Sequence, residues 1–439
     1  MLHPRILLAA ALTVAALAAC GQPGGTGVDV EVQVATTAGG PRQGLPVHVA
    51  GANETTDATG TAVFADVETP YDVTVRRQTL PILVHAFRDL SDASPGLVLA
   101  DTVFEALAPA LAPVTNPRRA SVPVPVGVPA ADQYWIACLE SGEAPLHGCV
   151  RIGPTTPAPY EIEAFWYGPA TLDAKLHAVL VQTTGGLPTS FPAYRVGEVP
   201  GLTTGPAPAP TLSPGGPLAA QSATVTVLPP STLQGVSVSA LVRVSEALVL
   251  PVVTGLPVAP GASTTLALPH LGDGRIQLVG RAVAFPCLVP PFCTARAVRW
   301  ETNVAAGADV TLELPTPPTI LQPPQDADDV GVGTTLEVSS TLDGVVTFVL
   351  ADVETLVAPN LAVSTLDAST TVPDPSVVQA ALPAQDTYLF FAIVVPGASS
   401  PASWLDAFGP LTVAERSGGP GTNQDGSLAI TPWRRVRTP

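Results

Sequence analysis

The sequence has few basic residues and few aromatic rings. Its 439 residues include 19 Lys and Arg against 36 Asp and Glu, and the basic set contains a single lysine, Lys175. The formal charge of −17 is repelled by phosphate backbones, which argues against a nucleic-acid partner. Only 5% of the residues are aromatic, whereas 46% are hydrophobic, largely Ala and Val, and this is ample for several cores.

Catalytic and nucleotide-binding motifs are also missing. The sequence contains no H-E-x-x-H, G-x-S-x-G, P-loop or G-x-G-x-x-G pattern. Its six histidines are widely spaced, whereas a His-based triad needs a Ser or Cys partner. We therefore predict a protein that is not an enzyme, with no catalytic residue, no metal site and no cofactor.

Proline and glycine are abundant. The 50 Pro and 38 Gly residues form about a fifth of the chain, below the level typical of wholly disordered proteins. Proline removes a helix hydrogen-bond donor and clashes with the preceding turn, so this composition favours short strands and many turns. Strand-length runs such as V-D-V-E-V-Q-V, from Val28, alternate apolar and polar residues, as half-buried strands do. We predict an all-β protein.

The N-terminus carries a signal for export. Arg5 precedes a short apolar stretch, 6–17, which is too short to span a bilayer comfortably, and the stretch ends in Leu17-Ala-Ala-Cys20. This ending resembles the lipobox of bacterial lipoproteins, which implies cleavage before Cys20 and acylation of that residue. The alternative is an ordinary signal peptide followed by an incidental cysteine. No later stretch is long and apolar enough to be a membrane helix.

The four remaining cysteines form two close pairs. Cys138 lies near Cys149, and Cys287 lies near Cys293. An even number of cysteines in an exported chain indicates disulfides, and the short separations favour local pairing. Zinc is the alternative, but neither pair has C-x₂-C spacing and only His147 is nearby.

One part of the chain resembles a known family. The succession G-L-P-V-H-V, T-T-D-A-T-G-T-A-V-F and T-P-Y-D-V-T-V, within 28–78, resembles a carboxypeptidase-regulatory-like domain, a prealbumin-like β-sandwich. The resemblance implies an accessory module without catalytic residues. Asp57 stands without a second carboxylate or His in its loop, and Gly60 supplies the positive φ of a tight turn. We interpret this stretch as a hairpin turn.

Later segments also have strand patterns separated by proline-rich stretches. The run P-P-T-I-L-Q-P-P-Q-D, followed by T-Y-L-F-F-A-I-V-V, resembles a fibronectin type III or Ig-like domain, with Tyr388 late in the module. The opening of one central segment, 220–227, resembles that of another, 119–126, which suggests duplicated modules. We predict tandem Ig-like or prealbumin-like β-sandwich modules after a cleaved lipoprotein signal peptide. The predicted parts are a signal peptide (1–19), a flexible tether (20–27), the carboxypeptidase-regulatory-like sandwich (28–115), a β module with a disulfide (116–200), a Pro-rich linker (201–217), a second β-sandwich with a disulfide (218–314), the fibronectin III or Ig-like module (315–415) and a C-terminal tail or final strand (416–439).

An aromatic cluster is the predicted ligand-contact surface. Its members are Tyr160, Phe165, Trp166 and Tyr167. Exposed aromatic rings stack on sugars or anchor protein partners, which makes the cluster a candidate binding patch. Strand alternation puts Tyr160 and Trp166 on one face and Phe165 and Tyr167 on the other, so one of the two sets belongs to a core.

Three acidic groups are weaker candidates. Glu161 and Glu163 lie on one strand face, where a solvated surface competes with glycosidase-type acid–base chemistry. The oxygen-rich loops 326–329 and 422–426 are compatible with calcium, but the first lacks the Asp-x-Asp-x-Asp-Gly pattern and the second is equally compatible with an Asx turn.

The sequence favours a structural or binding function. We expect a lipid-anchored envelope protein, exported to the outer membrane, the periplasm or the cell surface, that acts in adhesion or as a scaffold. Its expected partners are the membrane, through the N-terminal lipid, and an envelope protein or glycan. The alternatives are a carbohydrate-binding protein that uses the aromatic cluster and an accessory protein of an exported hydrolase.

Overall fold

The protein is built from β-strands. The computed structural model describes residues 27–36, 41–77, 82–99, 117–284, 295–352, 360–403, 422 and 424–439, and all structural statements refer to these. They contain 31 strands and two short 3₁₀ helices, η1 (Pro375–Val378) and η2 (Pro401–Ser403), but no α-helix. Within these ranges no helical segment has the length and apolar character needed to cross a membrane. The predicted all-β fold, built of sandwich modules, is confirmed.

The first module consists of seven strands in two sheets. Its strands are β1 (Val28–Thr36), β2 (Pro46–Val49), β3 (Ala52–Thr55), β4 (Thr61–Val67), β5 (Tyr71–Arg77), β6 (Leu83–Leu90) and β7 (Gly96–Leu99). One sheet has the order β4-β1-β7, and the facing strands have the order β3-β2-β5-β6. The alternation in β1 is realised, because Val30, Val32 and Val34 are buried while the polar residues between them are exposed.

The third module repeats this arrangement. Its strands are β17 (Ala220–Leu228), β18 (Gly235–Ser245), β19 (Leu248–Pro257), β20 (Ser263–Pro269), β21 (Ile276–Val283), β22 (Arg296–Val304) and β23 (Asp309–Glu313). The orders are β20-β17-β23 and β19-β18-β21-β22, so the first strand again pairs antiparallel with the fourth and parallel with the seventh. The two modules therefore share one topology.

The second module has the same seven-strand order, called here the shared frame, and two short additional strands. Its strands are β8 (Arg118–Pro123), β9 (Gln133–Glu140), β10 (Leu146–His147), β11 (Cys149–Ile152), β12 (Glu161–Trp166), β13 (Leu172–Thr184), β14 (Leu187–Leu202), β15 (Gly205–Pro206) and β16 (Gly216–Leu218). The frame reads β12-β8-β15 and β11-β9-β13-β14, while β10 extends the first sheet and β16 extends the second. The similarity of 119–126 to 220–227 thus falls on two equivalent first strands.

The fourth module has a different order. Its strands are β24 (Thr319–Gln322), β25 (Thr335–Ser339), β26 (Gly344–Asp352), β27 (Asn360–Thr365), β28 (Ser369–Thr371), β29 (Thr387–Pro396), β30 (Gly426–Ile430) and β31 (Arg434–Arg437). The sheet β24-β25-β28 packs on the strands β27-β26-β29, and β30 and β31 both pair with β29. The C-terminal segment, predicted as a tail or a final strand, forms these last two strands.

A single long sheet joins three of the modules. Its order is β19-β18-β21-β22, then β30-β29-β26-β27, then β6-β5-β2-β3. The fourth module lies in the middle: β22 pairs antiparallel with β30, and β27 pairs parallel with β6. Residues far apart in the chain thus become neighbours through backbone hydrogen bonds, so these three modules are joined by one sheet and not only by linkers.

The middle of this sheet is buried on both faces. Along β29, Tyr388 and Phe390 face the core of the fourth module, whereas Phe391 and Ile393 face a core shared with the first module. That shared core also includes Trp300 from the third module. Strands buried on both faces have continuous apolar sequences, which explains the run Y-L-F-F-A-I-V-V in β29.

The Pro-rich segment 201–217 lies against the second module. Composition alone predicts an extended spacer, but β15 pairs parallel with β8, and β16 pairs antiparallel with β14. Between them, the Ser213 amide donates to the Val196 carbonyl at 2.8 Å. The segment covers a sheet edge that would otherwise expose unpaired backbone groups.

Candidate functional site

The disulfide predicted in the second module is present. Cys138 on β9 and Cys149 on β11 are directly opposed in the antiparallel pair, with their Cα atoms 4.1 Å apart, and their sulfurs are bonded to each other. Thiolates are the zinc-binding form of cysteine, so this bond removes both residues from the alternative metal site. Cys20, Cys287 and Cys293 lie outside the described residues.

The aromatic cluster divides between core and surface. Tyr160 is 8% exposed and Trp166 is fully buried in the core of the second module, where the Trp166 indole nitrogen donates to the Pro169 carbonyl at 3.0 Å. Phe165 and Tyr167 are half-buried, and Phe165 stacks on His147. Tyr160 and Trp166 are core residues and present no ring surface to a ligand, because the pleat of β12 turns alternate side chains inward.

The acidic residues predicted as weaker candidates are either exposed or bonded to neighbouring protein groups. Glu161 and Glu163 are exposed on β12, and the Ser121 hydroxyl donates to Glu161 at 2.5 Å. Asp326 pairs with Arg435 at 2.9 Å. Asp425 accepts hydrogen bonds from the Thr302 amide at 2.6 Å and the Thr302 hydroxyl at 2.8 Å. Among the described residues no three His, Cys, Asp or Glu side chains are grouped to hold a metal ion.

The loop around Asp57 is the turn between β3 and β4. The Asp57 carboxylate accepts from the amides of Thr59 and Thr61 at 2.8 and 3.0 Å and from the Thr59 hydroxyl at 2.6 Å. These hydrogen bonds, led by the one from the Thr59 hydroxyl, lower the pKa of the carboxyl. Gly60 has a φ of +80°. The turn at this stretch agrees with the structure, but its interpretation as a hairpin turn is wrong, because β3 pairs with β2 and β4 pairs with β1, in two different sheets.

A polar network lies where the second and third modules meet, and the sequence did not predict it. His177 Nε2 and Glu140 Oε2 are 2.7 Å apart, and His177 Nδ1 lies 2.7 Å from the Tyr194 hydroxyl. Because an ionised carboxylate only accepts, Nε2 carries a proton and donates to Glu140. The Ser245 hydroxyl of the third module also donates to Glu140.

The network alters the acidity of its members. The hydrogen bond from His177, assisted by the one from Ser245, lowers the pKa of Glu140 against the opposing effect of burial. Burial and the nearby Glu140 charge raise the pKa of Tyr194 to about 12. The network holds an ionised carboxylate between two modules, and its four members come from four strands, so no local motif marks it.

A second buried network crosses the junction of the first and fourth modules. His85 on β6 is 2% exposed and lies 2.8 Å from the Ser364 hydroxyl on β27. That hydroxyl is 2.8 Å from the Thr347 hydroxyl on β26. Burial lowers the pKa of His85 to about 3, so the imidazole is neutral. Three adjacent strands from two modules are linked by polar side chains.

A cleft lies between the first and fourth modules. It has a volume of about 560 Å³. Its walls come from β2 and the β2–β3 turn, the β4–β5 loop, the start of β5, the end of β6 and the segment before and within η1. The lining includes four carboxylates and one guanidinium, contributed by Glu68, Asp72, Asp89, Asp374 and Arg88. An acidic cleft of this volume between two modules is a candidate ligand site.

No family model matches the sequence, and no curated protein matches it either.

Proposed function

We propose that this chain is a lipid-anchored structural or binding protein of the cell envelope. In this proposal Cys20 carries the lipid, the residues that follow it form a tether, and the β modules present loops and clefts to an envelope partner. The observation that carries the scaffold role is the sheet that continues through the first, third and fourth modules. Loops mounted on a rigid sheet keep a fixed geometry, as adhesion and recognition require.

The anchor is supported by the sequence alone. The ending Leu17-Ala-Ala-Cys20 follows a short apolar stretch, as a lipobox does. Each methylene group buried in a bilayer contributes about 0.8 kcal/mol, and two acyl chains are enough for stable anchoring. A lipidated Cys20 would therefore hold the modules firmly at the membrane.

The module types belong to the same proposal. Seven strands in two facing sheets are compatible with a prealbumin-like sandwich for the first module, as its resemblance to carboxypeptidase-regulatory-like domains implies. The shared strand order extends this assignment to the second and third modules. A fibronectin III or Ig-like identity for the fourth module is supported by Tyr388, which is fully buried late in the module.

Acyl labelling tests the anchor. Cys20→Ser removes the thiol that would receive the lipid, so we expect loss of labelling by a fatty acid and loss of the protein from the membrane fraction. Gln22→Ser, which makes a small change two residues away, should keep both. Fatty-acid labelling that persists in Cys20→Ser would contradict the anchor.

A further inference from the structure

The acidic cleft is held open by contacts between two modules. Arg76 on β5 donates from Nη1 to the carbonyls of Val378 and Gln379, at 3.0 and 2.5 Å. These bonds fix η1 of the fourth module against the first module. Ligand sites occur preferentially at such interfaces, and a volume of about 560 Å³ lies within the usual range for small-molecule pockets.

Two of the cleft carboxylates already have partners. Arg88 forms an ion pair with Asp72, which also accepts from the Asp89 amide at 3.1 Å. Asp374 caps η1, where it accepts from the Ser376 amide at 2.8 Å. The hydrogen bonds from Ser376, through its side chain and its amide, lower the pKa of Asp374. These two acids shape the wall of the cleft and are engaged by neighbouring groups.

The other two carboxylates are available to a ligand. Glu68 and Asp89 are exposed to the cleft, and no described residue forms an ion pair or hydrogen bond with either carboxylate. The one guanidinium in the lining, that of Arg88, is engaged by Asp72. A cleft lined by charges of one sign concentrates ions of the opposite sign. The net field in this cleft therefore favours a cation.

A largely buried threonine on the cleft wall is a second feature that favours a ligand. Thr74 is only 7% exposed and lines the cleft, yet within the described residues its hydroxyl makes no hydrogen bond. The hydroxyl of a threonine can accept a hydrogen bond, so a ligand donor in the cleft would have a partner there. Beside it lies the His48 ring, whose Nδ1 is 3.2 Å from the Asn53 side-chain oxygen.

We propose that this cleft binds an organic cation, a guanidinium or ammonium group on a short chain. Its charged end would meet Glu68 and Asp89, and its donors would also bond to the Thr74 hydroxyl. A bare metal ion fits less well, because no three metal-ligating side chains are grouped among the described residues. Pro70, Pro373 and the Ala50 methyl offer apolar surface to the chain of the ligand. The inference deepens the proposed binding role and rests on it, but it is independent of the lipid anchor.

Calorimetry of the full chain in detergent tests the proposal. The probes are agmatine, spermidine and triarginine, which separate a free amine from a basic peptide as the source of the cation. We expect saturable one-to-one binding of at least one probe. Glu68→Gln with Asp89→Asn should weaken it by at least about tenfold, the effect of losing one charge-assisted hydrogen bond. Thr74→Val should weaken it about fivefold.

The matched control is Glu161→Gln with Glu163→Gln, which removes the same charge from an exposed strand of the second module and should change affinity less than about twofold. Absence of saturable binding for every probe would overturn the proposal. Equal weakening in the cleft and control variants would also overturn it, because it would indicate nonspecific attraction to an acidic protein. Either failure leaves the Cys20→Ser labelling result unaffected, so the two proposals fail separately.

Discussion

The first, second and third modules share one strand order, but the strand at one edge of their larger sheet pairs differently in the second module than in the other two. In all three modules the sixth strand of the shared frame is the last of the four strands that the frame contributes to the larger sheet. In the first and third modules this strand, β6 or β22, pairs with a strand of the fourth module. In the second module the equivalent strand, β14, pairs with β16 from the chain's own Pro-rich segment. The edge partner determines which modules share a sheet and which one keeps two sheets of its own, although the second module still shares a hydrophobic core with the third.

The sequences of these edge strands explain the difference. Strand β14 contains Pro188, Pro192 and Pro200, whereas β6 and β22 contain no proline. Proline cannot donate to a strand ladder and is confined to edges and irregular positions. The second module is therefore unsuited to join a long sheet. It meets the third module through side chains instead, including the Tyr134 hydroxyl, which donates to the Val252 carbonyl at 3.2 Å.

Two buried tryptophans give the largest expected effects. Trp300 packs in the core shared by the joined modules, and Trp166 packs in the core of the second module. Each change to alanine should cost about 3–5 kcal/mol, the usual cost of deleting a large buried aromatic side chain. Trp300→Ala should lower the unfolding transition of the first, third and fourth modules, whereas Trp166→Ala should lower that of the second module. Calorimetry with exchange mass spectrometry assigns the transitions, and one common shift for both variants would contradict the division.

Substitution of two glycines, one in the strand that joins two modules and one in the strand that covers the edge of β14, should have a smaller effect on stability. A Cβ added to Gly426 on β30 would lie 2.4 Å from the Trp300 ring, whereas one added to Gly216 on β16 would meet nothing within 4 Å. Gly426→Ala should therefore cost about 1–3 kcal/mol by overpacking the joint, and Gly216→Ala should change stability by less than about 0.5 kcal/mol. Denaturant unfolding measures both, and equal costs would argue against close packing at the joint.

The two polar networks should respond to acid at different pH values. Burial lowers the pKa of His85 to about 3 from an ordinary 6.5, so its contribution is complete above pH 6.5 and is lost as the pH falls from there toward 3. The slope is up to about 1.4 kcal/mol per pH unit. The contribution of Glu140, whose pKa is lowered from 4.5, is lost only as the pH falls below 4.5.

Substitution of His85 isolates its contribution to the pH dependence of the unfolding free energy. His85→Gln keeps a donor that reaches toward Ser364 but does not titrate, so the variant should lose the slope between pH 6.5 and 4.5 in the unfolding free energy of the joined modules. Chemical unfolding at several pH values measures it. An unchanged slope in that window would assign the pH dependence to other groups.

The sequence predicts local structure here better than long-range contacts. Alternation in β1, the turn at Asp57 and the pairing of Cys138 with Cys149 all depend on neighbours in the chain, and the structure agrees with each. The pairing of β27 with β6 joins residues almost 280 positions apart, and no periodicity encodes which edges meet. The acidic cleft and the network around His177 depend on such contacts, which explains why spacing alone did not indicate them.

The aromatic cluster shows the same limit. Alternation divided it into two faces, but only packing of the two sheets decides which face is covered. The Pro-rich segment 201–217 is a related case, because proline content indicates extended chain and does not distinguish a free spacer from a strand laid on an edge.

Hydrogen exchange of the intact protein tests the continuity of the long sheet most directly. If β6 and β22 are joined to the fourth module, their amides should exchange as slowly as those of the interior strands β5 and β21, because they open only when the joined modules unfold. The exposed edge strand β3 is the internal reference for fast exchange. Exchange of β6 and β22 as fast as that of β3 would contradict the account and show that the modules are separate.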